Sequence, residues 1–279
     1  NRHLWDGSWY LRGLAHNGLS LGGQRETEGR IYLEPQSWAL LADTGNELQR
    51  NKLIAAVEQH LQTPHGVMNL APPYHRPCEM AGAHSLWHPG TEDNGSLHSL
   101  NAACYAYSLY QTGETERAYQ ILRSLVPGAE GETTSAQQWP IELPAWRFGA
   151  WENFPLRTGR TCTTSSSCAA AWLYRSIIEG LFGLQGTREG LQLKPQLPAD
   201  WQGAKIVRQF RGATIYLTLE RENHVTGTHI TVDGEPLEDD GIIRRLQAGK
   251  RYQVEVIVGR RALSPEAEAL LQEHARQRA

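Results

Sequence analysis

The sequence predicts a mainly helical, toroid-like fold followed by a small β-module of sandwich type. Three observations carry that expectation. Apolar residues recur at intervals of three and four through the first two thirds of the 279-residue chain, the spacing of one helical face. Long segments punctuated by proline, glycine and aromatic residues separate these helical stretches. Past Gly190 the apolar period falls to two, the spacing of a strand.

In chain order, residues 49–61 carry Leu53, Ile54, Val57 and Leu61 on one stripe. Leu100, Ala103, Cys104 and Tyr107 make a second stripe. Ala118, Ile121, Leu122 and Leu125 make a third, ended by Pro127-Gly128. The short turn around Gly113 places these last two helices antiparallel. Ala169, Trp172, Leu173, Ser176, Ile177 and Leu181 form a further stripe that stops at Gly183. The long loops, residues 63–95 and 127–167, gather a site on one side of the hairpins. Leu191-Gln192-Leu193, residues 205–210 and residues 214–220 then read as strands. In the last of these, Ile215, Leu217 and Leu219 face one way and Thr214, Tyr216 and Thr218 the other. Residues 229–232 end at Asp233-Gly234, a hairpin turn signal, and Val254, Val256 and Val258 repeat the alternation. Ser264-Pro265-Glu266 starts a terminal helix, with serine as cap and proline in the first turn. The expected division is residues 1–188 helical, 189–261 an antiparallel β-sandwich, and 262–279 a helix or tail.

Hydrophobic residues make up 40% of the chain, with nine Trp and ten Tyr, enough for a packed core. A net charge of −3 offers no basic field for nucleic acid and no polybasic patch for a membrane surface. No apolar run reaches the length of a membrane span. Cys78, Cys104, Cys162 and Cys168 lack C-x-x-C spacing, which reads as reduced thiols in a cytoplasmic protein. Residues 1–10 are already aromatic and apolar with no helix start ahead of them, which predicts that part of the fold lies upstream.

The stretch from Gln137 to Arg175 points to function. It carries Trp139, Trp146, Phe148, Trp151 and Phe154, too many aromatics for disorder. Indoles beside Glu142, Glu152, Arg147 and Arg157 suit a sugar: rings stack on C–H faces while charged groups bond hydroxyls. Arg157 and Arg160 are candidate anion contacts, with exposed loop arginine as the alternative. Trp146 and Trp151 are candidate sugar platforms, with packing beneath the loop as the alternative. His84 and His88 are spaced as a metal pair, but Pro89-Gly90 marks a loop and no third ligand follows, so no metal is expected. Cys168 reads as a small buried thiol rather than a nucleophile.

Several motifs resemble glycoside hydrolase family 94. They are Trp5-Asp6-Gly7-Ser8-Trp9-Tyr10-Leu11-Arg12, residues 28–39 (E-G-R-I-Y-L-E-P-Q-S-W-A), and His88-Pro89-Gly90-Thr91-Glu92-Asp93-Asn94-Gly95. Residues 138–175, Ile178-Glu179-Gly180-Leu181-Phe182-Gly183-Leu184 and Pro195-Gln196-Leu197-Pro198-Ala199-Asp200-Trp201 are most similar to the family's cellobionic acid branch. The resemblance implies inverting phosphorolysis of a β-linked disaccharide, here a β-glucosyl aldonic acid, to α-glucose 1-phosphate and gluconate. It implies an (α/α)6 barrel followed by a β-sandwich, inorganic phosphate as co-substrate and no cofactor. Homodimers are common in the family. The family's general acid lies in a D-W-N-D-C-L motif that this sequence lacks, so the proton donor is expected upstream, in a separate or missing N-terminal part. Asp6 is not that acid, and the chain alone is expected to be inactive.

The resemblance implies substrate contacts from Gln36, Glu92, Asp93, Asn94 and Trp146, and phosphate contacts from Ser167 and Cys168. Asp93 stands where the family has Glu, and capping of the following helix is its alternative role. Ser167 is equally suited to cap the helix after it. The family's phosphate-binding His falls on Leu100, its Thr-Gly phosphate turn on Ser167-Cys168, and an Asn-Tyr-Tyr of the branch on Ala145-Trp146-Arg147. His98 lies two residues before Leu100, and on a helix that shift of about 200° turns it to another face. These departures leave two further readings: a non-catalytic homologue that binds carbohydrate or a partner protein, and a glycosidase or transglycosidase with Glu142 or Glu152 as base.

Overall fold

A computed structural model describes residues 3–126, 144–149, 156, 158–166, 168–238 and 240–260. The chain forms two compact units, Asn1–Leu181 and Phe182–Ala279. Among the described residues there are five α-helices and several small sheets, a mixed α and β arrangement.

The first unit opens with turns that fix the aromatic motifs. Asp6 accepts from the backbone N–H groups of Ser8, Trp9 and Gln24, so its carboxylate organises a turn. Trp9 is buried, and its indole N–H donates to the carbonyls of Gly22 and Arg30. A short hairpin follows, β1 (Gly13–Leu14) with β2 (Ser20–Leu21). β3 (Ile31–Tyr32) leads directly into α1 (Leu33–Leu41), a helix the sequence pattern does not single out. Pro35 sits in its first turn, where no N–H is needed, and Glu34 faces the positive end of the helix dipole. Gly29, ahead of β3, has φ 55°. A Cβ there would meet the Tyr74 hydroxyl at 1.9 Å, so only glycine fits.

α2 (Glu47–His60) starts with a capping box between Asn46 and Gln49 and buries Leu53, Ile54 and Val57, matching the predicted stripe. The hairpin β4 (Gln62–Thr63) and β5 (Gly66–Val67) follows, and β6 (Leu70–Ala71) returns to pair with β3. β7 (Leu97–His98) runs into α3 (Ser99–Gln111). α3 is buried on nearly every face from Ala102 to Tyr110, because α1, α4 and α5 all pack against it. α4 (Thr115–Leu125) buries the predicted Ala118, Ile121, Leu122 and Leu125.

The segment expected as one long loop, residues 127–167, contains strands. β8 (Pro144–Arg147) pairs with both β7 and β9 (Thr161–Ser166) in an antiparallel sheet. A four-residue strand opened by proline shows too little alternation to be seen by pattern, and its partners lie far away in sequence. α5 (Ala169–Arg175) also departs from expectation. The stripe continues from Ser176 to Leu181 as a π-turn. Ser176 Oγ donates to the Trp172 and Ala103 carbonyls, and Gly180 lies against the Tyr110 ring. This side-chain competition for the ladder and the close approach are where π-turns form.

The second unit opens with β10 (Leu184–Gly186), ahead of the period change. It pairs with β11 (Gly190–Leu193), which pairs in turn with β16 (Ile242–Arg244). A five-stranded sheet has the order β12 (Gly203–Phe210), β13 (Ala213–Thr226), β17 (Arg251–Arg260), β14 (Thr228–Val232), β15 (Glu235–Pro236). Ile215, Leu217 and Leu219 are buried together with Tyr252, Val254 and Val256, as the alternation predicts. Asp233 and Gly234, both at positive φ, make the two-residue turn between Val232 and Glu235. The expectation of a purely antiparallel module is corrected: β13 and β17 run parallel, from Thr214 beside Arg251 to Arg221 beside Val258. Alternation sets which side chains are buried but not strand direction, which the intervening β14–β16 excursion decides. The terminal helix expected from Ser264 lies outside the described residues.

Gly180 tests the packing of α3. A Cβ at this position would come within 2.5 Å of the Tyr110 ring. Gly180→Ala is expected to lower stability by about 2 kcal/mol, read by urea denaturation. An unchanged midpoint contradicts the close approach.

Candidate functional site

A cavity of about 230 Å³ lies in the first unit, walled by Tyr32, Glu34, Asn69, Leu70, His84, Asp93, His98, Leu100 and Asn101. Tyr32 ends β3, and Glu34 lies in the first turn of α1. Asn69 precedes β6, and its main chain links Leu33 to Ser96: its carbonyl accepts from Leu33 N–H and its N–H donates to Ser96 O. His84 sits in a 3₁₀ turn, Gly82–Leu86, with its ring edge-on to Tyr32 at 5.9 Å.

Asp93 reaches the cavity because the loop before it is braced. Asn94 is fully buried. Its Oδ1 accepts from Tyr74 N–H at 2.7 Å, and its Nδ2 donates to the Tyr74 and Trp87 carbonyls at 2.8 Å each. Glu92, at φ 43°, takes the left-handed turn that directs the chain. Its carbonyl accepts from Ser96 Oγ and from Asn69 Nδ2. Asp93 is not a helix cap: α3 begins at Ser99, with His98 at the cap position.

His98 corrects the sequence expectation. It lies in β7, not on a helix, and pairs with Trp146 of β8. Its ring stacks on the Trp146 indole, with centroids 5.0 Å apart and planes 6° from parallel. Leu97 is buried at the preceding position, so strand alternation turns His98 to the other side, into the cavity with Leu100. Burial pulls the His98 imidazole below its ordinary pKa, while Asp93, Glu34 and Glu92 oppose that shift.

Of the residues implied as substrate contacts, the structure brings Asp93 to the cavity and sets Trp146 behind His98. Asn94 holds the loop. Gln36 is fully buried on α1, and its amide bonds Tyr10 N–H, Tyr10 O and Tyr32 O, so it ties α1 to the N-terminal turns. Glu92 contributes its carbonyl and a nearby charge. Cys168 is exposed at the cap position of α5, against the buried thiol expected. Ser167, Trp151, Arg157, Glu142 and Glu152 lie outside the described residues. Arg160 is exposed, whereas Arg147 is buried and donates to His65 O. Burial lowers the Arg147 guanidinium to about 10. His84 faces the cavity while His88 lies exposed in the loop, and no group of three metal-ligating side chains occurs among the described residues. Pattern reading misses Asn69 and His84 as wall residues. A buried polar residue between apolar neighbours, Met68-Asn69-Leu70, is the one available signal for the first.

Residues 1–183 match the Glycosyl hydrolase 94 superfamily, catalytic domain, and the chain belongs to that family. It is 34% identical over 261 residues to a cellobionic acid phosphorylase of Neurospora crassa, covering 92% of this chain and 33% of the relative. A 3-O-beta-D-glucopyranosyl-beta-D-glucuronide phosphorylase of Paenibacillus borealis is 30% identical, over 92% of this chain and 33% of its own. An N,N'-diacetylchitobiose phosphorylase of Vibrio proteolyticus is 29% identical, over 92% and 32%. The chain thus spans about a third of the length of these relatives.

Two expectations follow from the geometry. Asn94→Ala removes three buried bonds and leaves backbone groups of Tyr74 and Trp87 unpaired. The expected loss is about 3 kcal/mol, measured by chemical denaturation. The second concerns pH. His60, His65 and His98 are all held below the ordinary histidine value, chiefly by burial. Their contribution to stability is therefore full above the unfolded value of about 6.5 and is lost as pH falls through it, because the unfolded chain takes up protons first. Thermal midpoints should drop between about pH 7.5 and about pH 5.5, and less so in His98→Asn.

Proposed function

We propose that this chain forms the C-terminal part of the catalytic assembly of an inverting disaccharide phosphorylase. Its helices belong to an (α/α)6 barrel, and its substrate is a β-glucosyl aldonic acid of the cellobionic type. The single observation that carries the reading is the cavity between Asp93 and His98, with its carboxylates, imidazoles and aromatic wall. Polar groups converging in a concave site of this kind are what a sugar needs. Similarity to phosphorylases along 92% of the chain supports it.

In the reaction a phosphate oxygen bonds the anomeric carbon from the face opposite the leaving group. The glycosidic C–O bond breaks, and its electron pair stays on the leaving oxygen. A carboxylic acid protonates that oxygen. That acid is supplied by sequence outside these residues, in a separate or preceding N-terminal part. Asp93 orients the sugar, Trp146 supports the His98 ring at its edge, and Ser167 and Cys168 stand on the phosphate side. The active form is a cytoplasmic homodimer with no cofactor beyond phosphate.

Leu100 favours a second reading. An apolar side chain stands in the wall at the position where the family places an imidazole for phosphate. A carbohydrate-binding homologue with no phosphate step accommodates that substitution.

The assay is release of glucose 1-phosphate from cellobionic acid and phosphate, by the chain alone and by the chain co-expressed with an upstream family polypeptide. Release only in the second case, as the α anomer by NMR, is expected. Asp93→Asn should lower kcat/KM there about tenfold to a hundredfold. Release by the chain alone, or β-glucose 1-phosphate, contradicts the proposal. Sugar binding with no phosphorolysis in either case selects the second reading.

A further inference from the structure

Three buried polar atoms on the cavity wall have no hydrogen-bond partner among the described residues: Asn69 Oδ1, His84 Nδ1 and His98 Nδ1. Asn69 is 5% exposed, and its Nδ2 is engaged with the Glu92 carbonyl, which leaves Oδ1 as the acceptor. An unpaired buried polar group costs about 1–3 kcal/mol, so three around one cavity mark a place built for a ligand.

The donor and acceptor inventory defines that ligand. Asn69 Oδ1 accepts only, and so do the carboxylates of Glu34 and Asp93. Each imidazole Nδ1 accepts or donates according to its tautomer. Hydroxyl groups, which do both, satisfy every one of these atoms. A phosphate dianion or an aldonate carboxylate offers mainly acceptors and brings negative charge to a wall that already holds two carboxylates. Arg12 pairs with Glu34, but Asp93 and Glu92 add their charges beside His98. The lowered pKa of His98 agrees: the ring is neutral near pH 7 and brings no positive charge to hold an anion. Tyr32 and Leu100 supply apolar surface for the C–H face of a ring. At about 230 Å³ the cavity falls below the ~300 Å³ at which drug-sized sites begin, so it takes one ring and not a disaccharide.

We infer that this cavity binds a neutral pyranose ring, and that Asn69, His84 and His98 hold its hydroxyls as specificity-determining ligands, while phosphate and the aldonate bind elsewhere. The inference rests on the carbohydrate reading above and names the part of the substrate this cavity selects. His98 is a sugar ligand, held in orientation by its stack on Trp146, and not a substitute phosphate ligand.

The test is two-dimensional NMR of the chain with ¹⁵N-labelled histidine, titrated separately with D-glucose, D-gluconate and inorganic phosphate at about pH 7.5, where the rings are neutral. Glucose is expected to shift the imidazole resonances of His84 and His98 saturably, with neither anion doing so at equal concentration. His98→Phe keeps the stack on Trp146 but removes the ring nitrogen, and should weaken glucose binding about tenfold. His98→Asn restores a polar atom near Nδ1 and should recover most of it. His84→Phe, which keeps the edge contact with Tyr32, gives the same readout should His98→Phe not fold. Saturable shifts from phosphate or gluconate, no shift from any probe, or equal glucose affinity in the Phe variants overturns the inference. Glucose binding with these signatures but no phosphorolysis sinks the phosphorylase reading and leaves this one standing. Phosphorolysis with sugar binding unaltered by His98→Phe does the reverse.

Discussion

The buried amide of Asn94 is the interaction on which the site depends. It bonds both backbone groups of Tyr74 and the carbonyl of Trp87, so three pieces of loop are held by one side chain. Asp93 precedes it directly, and β7 with His98 follows within a few residues. Any shift of Asn94 would therefore move an acceptor and an imidazole together. The same loop is tied to Asn69 through the Glu92 carbonyl, and Asn69 is tied to α1 through Leu33 N–H. The cavity wall is thus a closed circuit of backbone bonds with few adjustable parts. Such preorganisation is what positions polar groups around a small ligand without a large ordering cost.

Beneath this circuit lies α3, buried on almost every side. Small residues at Ala102, Ala103 and Ala106 let α1, α4 and α5 approach it, and the π-turn after α5 brings Gly180 onto Tyr110. A further group stands at one edge of this packing. Arg175 lies over the Tyr107 ring and pairs with Glu179, which also accepts from the Tyr107 hydroxyl. These contacts hold the first turn of α3, and hence Leu100 and Asn101, at the cavity. Packing and site are linked through a single helix.

Electrostatics and burial act together at His98. Burial disfavours the imidazolium, while the acidic neighbours favour it, and burial prevails. Trp146 matters for this balance, since its indole covers one face of the ring and excludes water from it. The platform role expected of Trp146 is exercised on a histidine inside the protein. Its own indole N–H is buried without a partner among the described residues.

Much of the architecture was legible in order along the chain. The stripes of α2, α3 and α4, the Asn46–Gln49 cap, the Asp233-Gly234 turn and the buried face of β13 all follow from residues within one or two turns of each other. Local periodicity and turn chemistry act over that range, so the sequence by itself determines them. The family motifs were legible for the same reason, as contiguous runs. The duties of their polar residues were not. Gln36 and Asn94, implied as sugar contacts, bond backbone groups that lie more than one turn away in sequence, while His98, read on a helix, lies in a strand paired with Trp146. Strand direction in β13 and β17, the pairing of β7 with β8, and the meeting of Asn69, His84 and His98 at one cavity likewise depend on distant segments. Only the tertiary structure decides these, because a side chain's hydrogen-bond partner is set by what folds against it and not by its neighbours in sequence.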